Sequence, residues 1–212
     1  MFFKFTDDQV FDLLSLSDFI FKNNDLSRAV IPHFRIGLRK YYSPGNKLGN
    51  LSIEEFSYAD TFYMKHKQTN EIEWLNLLIV TLYRPKTHDH RPDSVDYKGD
   101  IREEFNSYIL NFRSEKISKL KNKTKFAILL FYEGCRNIII KQHPHVFTKN
   151  KPKGKDFGWG GTLVELAGNK FGTHEQTKKA NLWDVMGHLE MEAIKAKELD
   201  NQYQKIKNKY RK

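Results

Sequence analysis

The 212-residue chain carries 36 basic against 26 acidic residues, a formal net charge of +10, with a single cysteine and 14% aromatic residues. A chain of this length buries roughly 70% of its unfolded surface, so one compact domain can form without a disulfide or metal staple. Its lone Cys135 excludes an internal disulfide framework and a Cys-rich zinc site. The aromatics separate it from disordered chains, even with a mean hydropathy of −0.66.

The start, Met1-Phe2-Phe3-Lys4-Phe5, lacks the continuous apolar stretch and cleavage site of a signal peptide. Thr6-Asp7-Asp8-Gln9 is a capping box and opens a helix over 7–22, followed by a second over 27–40. Turn residues Ser43-Pro44-Gly45-Asn46 and Gly49-Asn50 then separate this pair from the body. Ser52-Ile53-Glu54-Glu55 opens a helix over 53–67, and 71–83 is apolar almost all round, as a buried helix is. A polar connection over 84–99 contains Pro85, Pro92, Asp93 and Gly99. Asp100 caps a helix over 101–120, and 124–141 forms a second apolar helix. The β-branched content of the two apolar segments would also suit buried strands. For 71–83, length and the lack of internal turn residues favour helix. The longest apolar run, Phe126 to Tyr132, is far short of the roughly 20 residues that span a bilayer. After a Gly- and Pro-rich connection over 143–161, Thr162-Leu163-Val164-Glu165 opens a helix over 162–171. Thr173-His174-Glu175-Gln176 opens the last one, over 175–207. The expected fold is all-α, a compact multi-helix domain with two long polar loops and a long C-terminal helix. Its parts are an N-terminal helical pair over 1–42, a helical body over 51–200 and a basic tail over 201–212.

The positive charge is local. Residues 113–125 hold six basic residues and one acid; 141–155 and 201–212 each hold five basic residues and no acid. Each tract carries +5, which leaves −5 on the rest of the chain. Such tracts suit nucleic acid, acidic protein surfaces or anionic lipid, and equally a merely solvated surface. Tyr41-Tyr42, Tyr203 and Tyr210 lie near basic residues, the combination single-strand binders use, yet no DNA- or RNA-reading signature accompanies them.

Residue patterns give no catalytic constellation, metal site or cofactor motif. His88-Asp89-His90 and His143-x-His145 have ligand residue types without the rest of a coordination shell. Cys135 reads as a small buried hydrophobe. Asp156-Phe157-Gly158 matches the kinase metal-binding tripeptide, but no glycine-rich phosphate loop accompanies it. Asp7-Asp8, Glu54-Glu55 and Glu103-Glu104 sit in predicted first helical turns, where they complement the helix dipole. Trp74 and Trp183 fall on apolar faces and are expected in the core, whereas Trp159, in a glycine-rich loop, is the expected contact residue.

Two stretches carry a resemblance. One is Ser52-Ile53-Glu54-Glu55-Phe56 with the run from Trp74 to Tyr83-Arg84-Pro85. The other is Gly158-Trp159-Gly160 with Leu163-Val164-Glu165-Leu166-Ala167, Phe171-Gly172-Thr173 and Leu182-Trp183-Asp184-Val185-Met186. Both resemble small helical proteins of tailed bacteriophages and prophages, namely tail-assembly chaperones and related morphogenesis or virion-associated proteins. The resemblance covers under half the chain and consists of packing patterns. It implies a non-enzymatic tail or head–tail assembly protein that needs no cofactor. The implied partners are other phage structural proteins in an oligomeric assembly, with contact to nucleic acid and none to a membrane. The implied location is the bacterial host cytoplasm during assembly, or the virion. Contacts are expected at Trp159, at Lys149, Lys151, Lys153 and Lys155, and at Lys205, Lys207, Lys209 and Arg211. The alternative reading is a basic nucleic-acid-binding protein, with an enzyme third.

Overall fold

A computed structural model describes residues 24–87, 92–93, 95, 97, 99–147, 158–168 and 170–210. The expected helix over 27–40 is a β-hairpin. Strands β1 (His33–Ile36) and β2 (Arg39–Tyr42) pair antiparallel, and β3 (Arg84–Pro85) joins the other edge of β2. Pro32 cannot donate in a helix interior, and Gly37, with φ of 58°, supplies the positive dihedral of a two-residue hairpin loop. Phe34 and Tyr41 face each other across the hairpin with ring centroids 5.4 Å apart, and Tyr83 stacks on Phe34 at 5.2 Å. The protein is therefore predominantly helical, with a small antiparallel sheet, rather than all-α. The expected helix over 7–22 lies outside the described residues.

Seven α-helices follow among the described residues: α1 (Ile53–Thr69), α2 (Ile72–Leu82), α3 (Leu110–Ile117), α4 (Asn122–Gln142), α5 (Gly158–Leu166), α6 (His174–Lys179) and α7 (Leu182–Lys209). The Ser52 hydroxyl accepts from the Glu55 amide at 3.2 Å to start α1, and left-handed Asn70 (φ 58°) ends it. A two-residue link then turns the chain into α2, which lies against α1, α3 and α4. Leu75, Leu78, Ile79, Val80 and Leu82 of α2 are fully buried, as an all-round apolar helix requires. They share one core with Phe56 of α1, Phe131 and Tyr132 of α4, Phe34 and Tyr41 of the sheet, and Leu182, Val185 and Met186 of α7.

Only the second half of the predicted helix over 101–120 is helical; 101–106 runs extended, with Arg102 bridged to Lys86. Asp100 is not a helix cap. Its carboxylate binds the fully buried Arg102 guanidinium, with Oδ2 2.6 Å from Nη2. Arg102 also donates to the Leu82 carbonyl at 2.5 Å, and Arg84 donates to the carbonyls of Thr81 (3.1 Å) and Glu103 (2.8 Å). Glu55 accepts from both arginines, with Oε2 2.9 Å from Arg84 and 3.5 Å from Arg102. Two cations and two carboxylates thus neutralise one another where α1, the end of α2 and the 99–106 segment meet. The demand for buried partners pulls 101–106 out of the helical conformation.

The first described residues strap across α4. The Asn24 side chain donates to the Leu130 carbonyl at 2.6 Å, and Asn137 donates back to the Asn24 carbonyl at 3.1 Å. Gly134 faces this strap on α4. Downstream, α5 begins at Gly158, so Thr162 lies inside a helix rather than capping one. Thr173 and Gln176 form the expected capping box of α6. The expected helix over 175–207 is broken at Ala180; Asn181 caps α7 by accepting from the Trp183 amide at 2.9 Å.

Candidate protein-interaction surfaces

Trp159 sits in the first turn of α5, not in a loop, and is half-buried. Its ring meets Phe56 edge-on at 5.2 Å and Phe147 at 6.1 Å, and its indole N–H donates to Asp60 Oδ2 at 3.0 Å. The buried Asp60 carboxylate also accepts from Arg136 Nε at 2.5 Å and from the Tyr132 hydroxyl at 3.3 Å. Burial opposes the charge on Arg136, but Asp60 outweighs it and holds the guanidinium above its ordinary value. Burial also pushes the Tyr132 hydroxyl well up, so it remains a donor. Asp60 is therefore the group that aims Trp159. Asp60→Ala should cost about 3 kcal/mol by leaving Arg136 without its carboxylate. It should also raise acrylamide quenching of tryptophan fluorescence; unchanged melting and quenching would remove Asp60 from this role.

Beside Trp159, a groove of about 1220 Å³ runs between α1, the 104–108 segment, α5 and α6. Tyr58, Phe62, Phe105 and Tyr108 line it, with Tyr108 almost fully exposed. Lys178 lies 3.9 Å from Glu54 and 2.9 Å from Glu175 at one end. Burial raises the Glu54 carboxyl, with Lys178 opposing.

Trp74 and Trp183 are both half-buried; of the two, Trp183 packs against the core. Lys65 covers the Trp74 ring at 4.1 Å, and Trp183 donates to the Lys47 carbonyl at 3.2 Å. Cys135 is fully buried, and burial pushes its thiol up to about 12. Among the described residues, no group of three or more His, Cys, Asp and Glu side chains is placed to hold a metal ion, and no helix is long and apolar enough to cross a membrane. His88, Asp89 and His90 lie outside the described residues.

His145 instead fastens the turn after α4 to α7. Glu190 accepts from the His145 amide at 3.0 Å and the Val146 amide at 3.2 Å, and pairs with the His145 ring at 2.6 Å. Partial burial opposes the Glu190 charge, but these hydrogen bonds prevail and hold its carboxyl below 4.5. A depressed carboxyl contributes stability that is complete above its unfolded value of 4.5 and is lost as pH falls through the lower folded value. Wild type should therefore lose melting temperature below about pH 4.5 more steeply than Glu190→Gln does. Parallel melting curves between pH 3 and 6, with roughly one-unit spacing, would contradict this.

The basic tracts divide on folding. In 113–125, Arg113 pairs with Glu103, and Lys125 is buried with its ammonium donating to the Ser118 carbonyl at 3.1 Å, closing α3. Lys119, Lys121 and Lys123 stay exposed at the α3–α4 corner, and Lys116 covers the ring of exposed Phe112 on α3 at 4.3 Å. Lys149, Lys151, Lys153, Lys155 and Arg211 lie outside the described residues. Lys205, Lys207 and Lys209 are exposed on α7, because residues 201–209 continue that helix.

The second half of α7, where contacts were expected at its lysines, also carries an apolar face that sequence reading missed. Every residue from Ile194 to Tyr210 is exposed, so this part of the helix stands off the body. Leu199 (66% exposed), Tyr203 (63%), Ile206 (56%) and Tyr210 (84%) follow one another at spacings of four, three and four, which places them on one face. That spacing was the available signal. In comparison with known proteins, the chain matches no family model, no curated protein and no solved structure.

Proposed function

We propose that the protein is a non-enzymatic assembly protein of a tailed bacteriophage or prophage, acting in tail or head–tail morphogenesis through contacts with other structural proteins. It works in the host cytoplasm during assembly, and in the particle where it is retained. The observation that carries this reading is the free half of α7. An isolated helix of about 15 residues is marginal in water, and helices in proteins are stabilised mainly by packing an amphipathic face. Here the apolar face exists, and no described residue of the body covers it. Its natural complement is another protein, with aromatic anchors supplying the contact energy. The test is to place Leu199→Asp with Ile206→Asp in a phage or lysogen that carries the gene, then count infective particles and inspect them by electron microscopy. The expected result is loss of particles or of tails; normal particles in normal yield would reject the role.

A second reading, a nucleic-acid contact, is favoured by the α3–α4 corner, where Lys116 covers exposed Phe112 and Lys119, Lys121 and Lys123 are exposed. Four such contacts to a single strand give a log–log salt slope of about −3. Absence of oligonucleotide binding at low salt would dismiss it.

A further inference from the structure

The exposed face of α7 has a regular period. Ala196, Leu199, Tyr203, Ile206 and Tyr210 succeed one another at spacings of three, four, three and four, the alternation of a coiled-coil seam. In that register Ala196, Tyr203 and Tyr210 take the a positions, and Leu199 and Ile206 the d positions. The seam starts where the body releases the helix. Leu189, one heptad before Ala196, packs against the core, and Glu192 at the preceding d position is tied to Lys170 of the body at 3.3 Å. From Ile194 onward every residue to Tyr210 is exposed, and no described residue of the body shields the helix.

We infer that this seam is closed by a second copy of the chain, the two α7 helices running parallel and in register from Ala196 to Tyr210. The flanking charges favour that arrangement. In a parallel pair the residue before each a position meets the residue after the next d position of the other strand. Lys195 then faces Asp200 of the second copy, and Gln202 faces Lys207, on both sides of the pair. The result is two opposite-charge contacts and no like-charge contact at the flanks. Within one chain Lys195 is 66% exposed, with Glu192 as a surface neighbour at 3.3 Å, so it is available to bridge. Asp200 has no ion-pair partner among the described residues. Of the other cations within the seam, Lys205 sits at an outward c position and Lys209 at the last g position, where the facing e position lies past the seam. Solvent separates and salt screens them. The inference rests on the proposed assembly role, for which it names the first partner.

Sedimentation equilibrium of the full chain tests it. Wild type should move with concentration from 25.1 kDa towards twice that mass. Leu199→Asp with Ile206→Asp should hold it at 25.1 kDa without changing the near-ultraviolet spectrum of the body. Lys195→Glu should weaken association about tenfold, because two attractive contacts become repulsive, and adding Asp200→Lys should restore it. Leu199→Cys and, separately, Ile206→Cys should each give a disulfide-linked dimer on mild oxidation, since a parallel in-register pair brings both positions face to face and an antiparallel pair can do so for one at most; buried Cys135 does not compete. A wild-type monomer at about 1 mM would overturn the inference. So would association that survives the double Asp substitution, or a charge swap without rescue. Particle formation is scored separately: a monomer whose double variant still blocks assembly overturns the second copy while leaving the assembly role standing.

Discussion

Arg102→Met should lower the unfolding free energy by about 3–5 kcal/mol, the cost of removing one member of a buried charge group and stranding its counterions. Arg102 is fully buried, and its guanidinium holds both carboxylates of the network, Glu55 and Asp100, as well as the carbonyl that ends α2. Methionine fills much of the volume but satisfies none of these acceptors. At roughly 2–4 °C per kcal/mol for a chain of this size, the melting temperature should fall by about 10 °C. Lys141→Ala is the internal comparison. Its 2.6 Å contact with Asp25 is as short, but both side chains are about 60% exposed, so the loss should stay below about 1 kcal/mol. Equal losses from the two variants would show that burial does not set the worth of the network. Replacing Arg84, Arg102, Glu55 and Asp100 together by apolar residues should be far less damaging than the single change, because no charge is then left stranded.

Gly134→Ala should destabilise the protein by about 3 kcal/mol and do so locally. A β-carbon at position 134 would press on the Leu26 carbonyl oxygen, lie 2.5 Å from the Leu26 nitrogen and 2.9 Å from Asn24 Oδ1. Two of these three atoms are backbone, so no rotamer change relieves them; the strap over 24–27 must lift from α4. Hydrogen exchange should accelerate at Leu26, whose amide donates to Asn24 Oδ1, while α1 and α2 keep their protection. Uniform acceleration across the domain would mean that the strap and the core open together.

The helical framework was legible because its signals are local. Ser52 before an apolar-periodic run, the all-round apolar α2, the long apolar stretch of α4 and the Thr173–Gln176 capping box each state their structure within a few residues. What escaped depends on distant partners. Asp100 followed by Ile101-Arg102-Glu103 has the residue types of a helix start, but its carboxylate is claimed by Arg102, in a network that Glu55 joins from 45 positions upstream. The hairpin over 33–42 carried weak local marks, Pro32 and Gly37, without the Asn-Gly or Asp-Gly pair that announces such turns. Its strands are pinned by Tyr83, far along the chain. For the candidate surfaces, Trp159 stood out as an aromatic among glycines, but the Asp60 that aims it is invisible at a separation of 99 residues. The seam on α7 was readable from its spacing alone; its emergence from the body was not.

The strap over 24–31 also sets an order of events during synthesis. Asn24 is held by residues 106 and 113 positions later, and Tyr83 fixes Ile31 across 52 positions. A ribosome adding roughly 5–20 residues per second needs about 5–20 s to supply α4 after the strap has been made. For that interval Leu26 and Ile31 have no finished core to enter, while the α1–α2 pair can already form behind them. The earliest part of the described chain is thus among the last to lock, and α4 acts as the latch that ends its exposure to the translating cell.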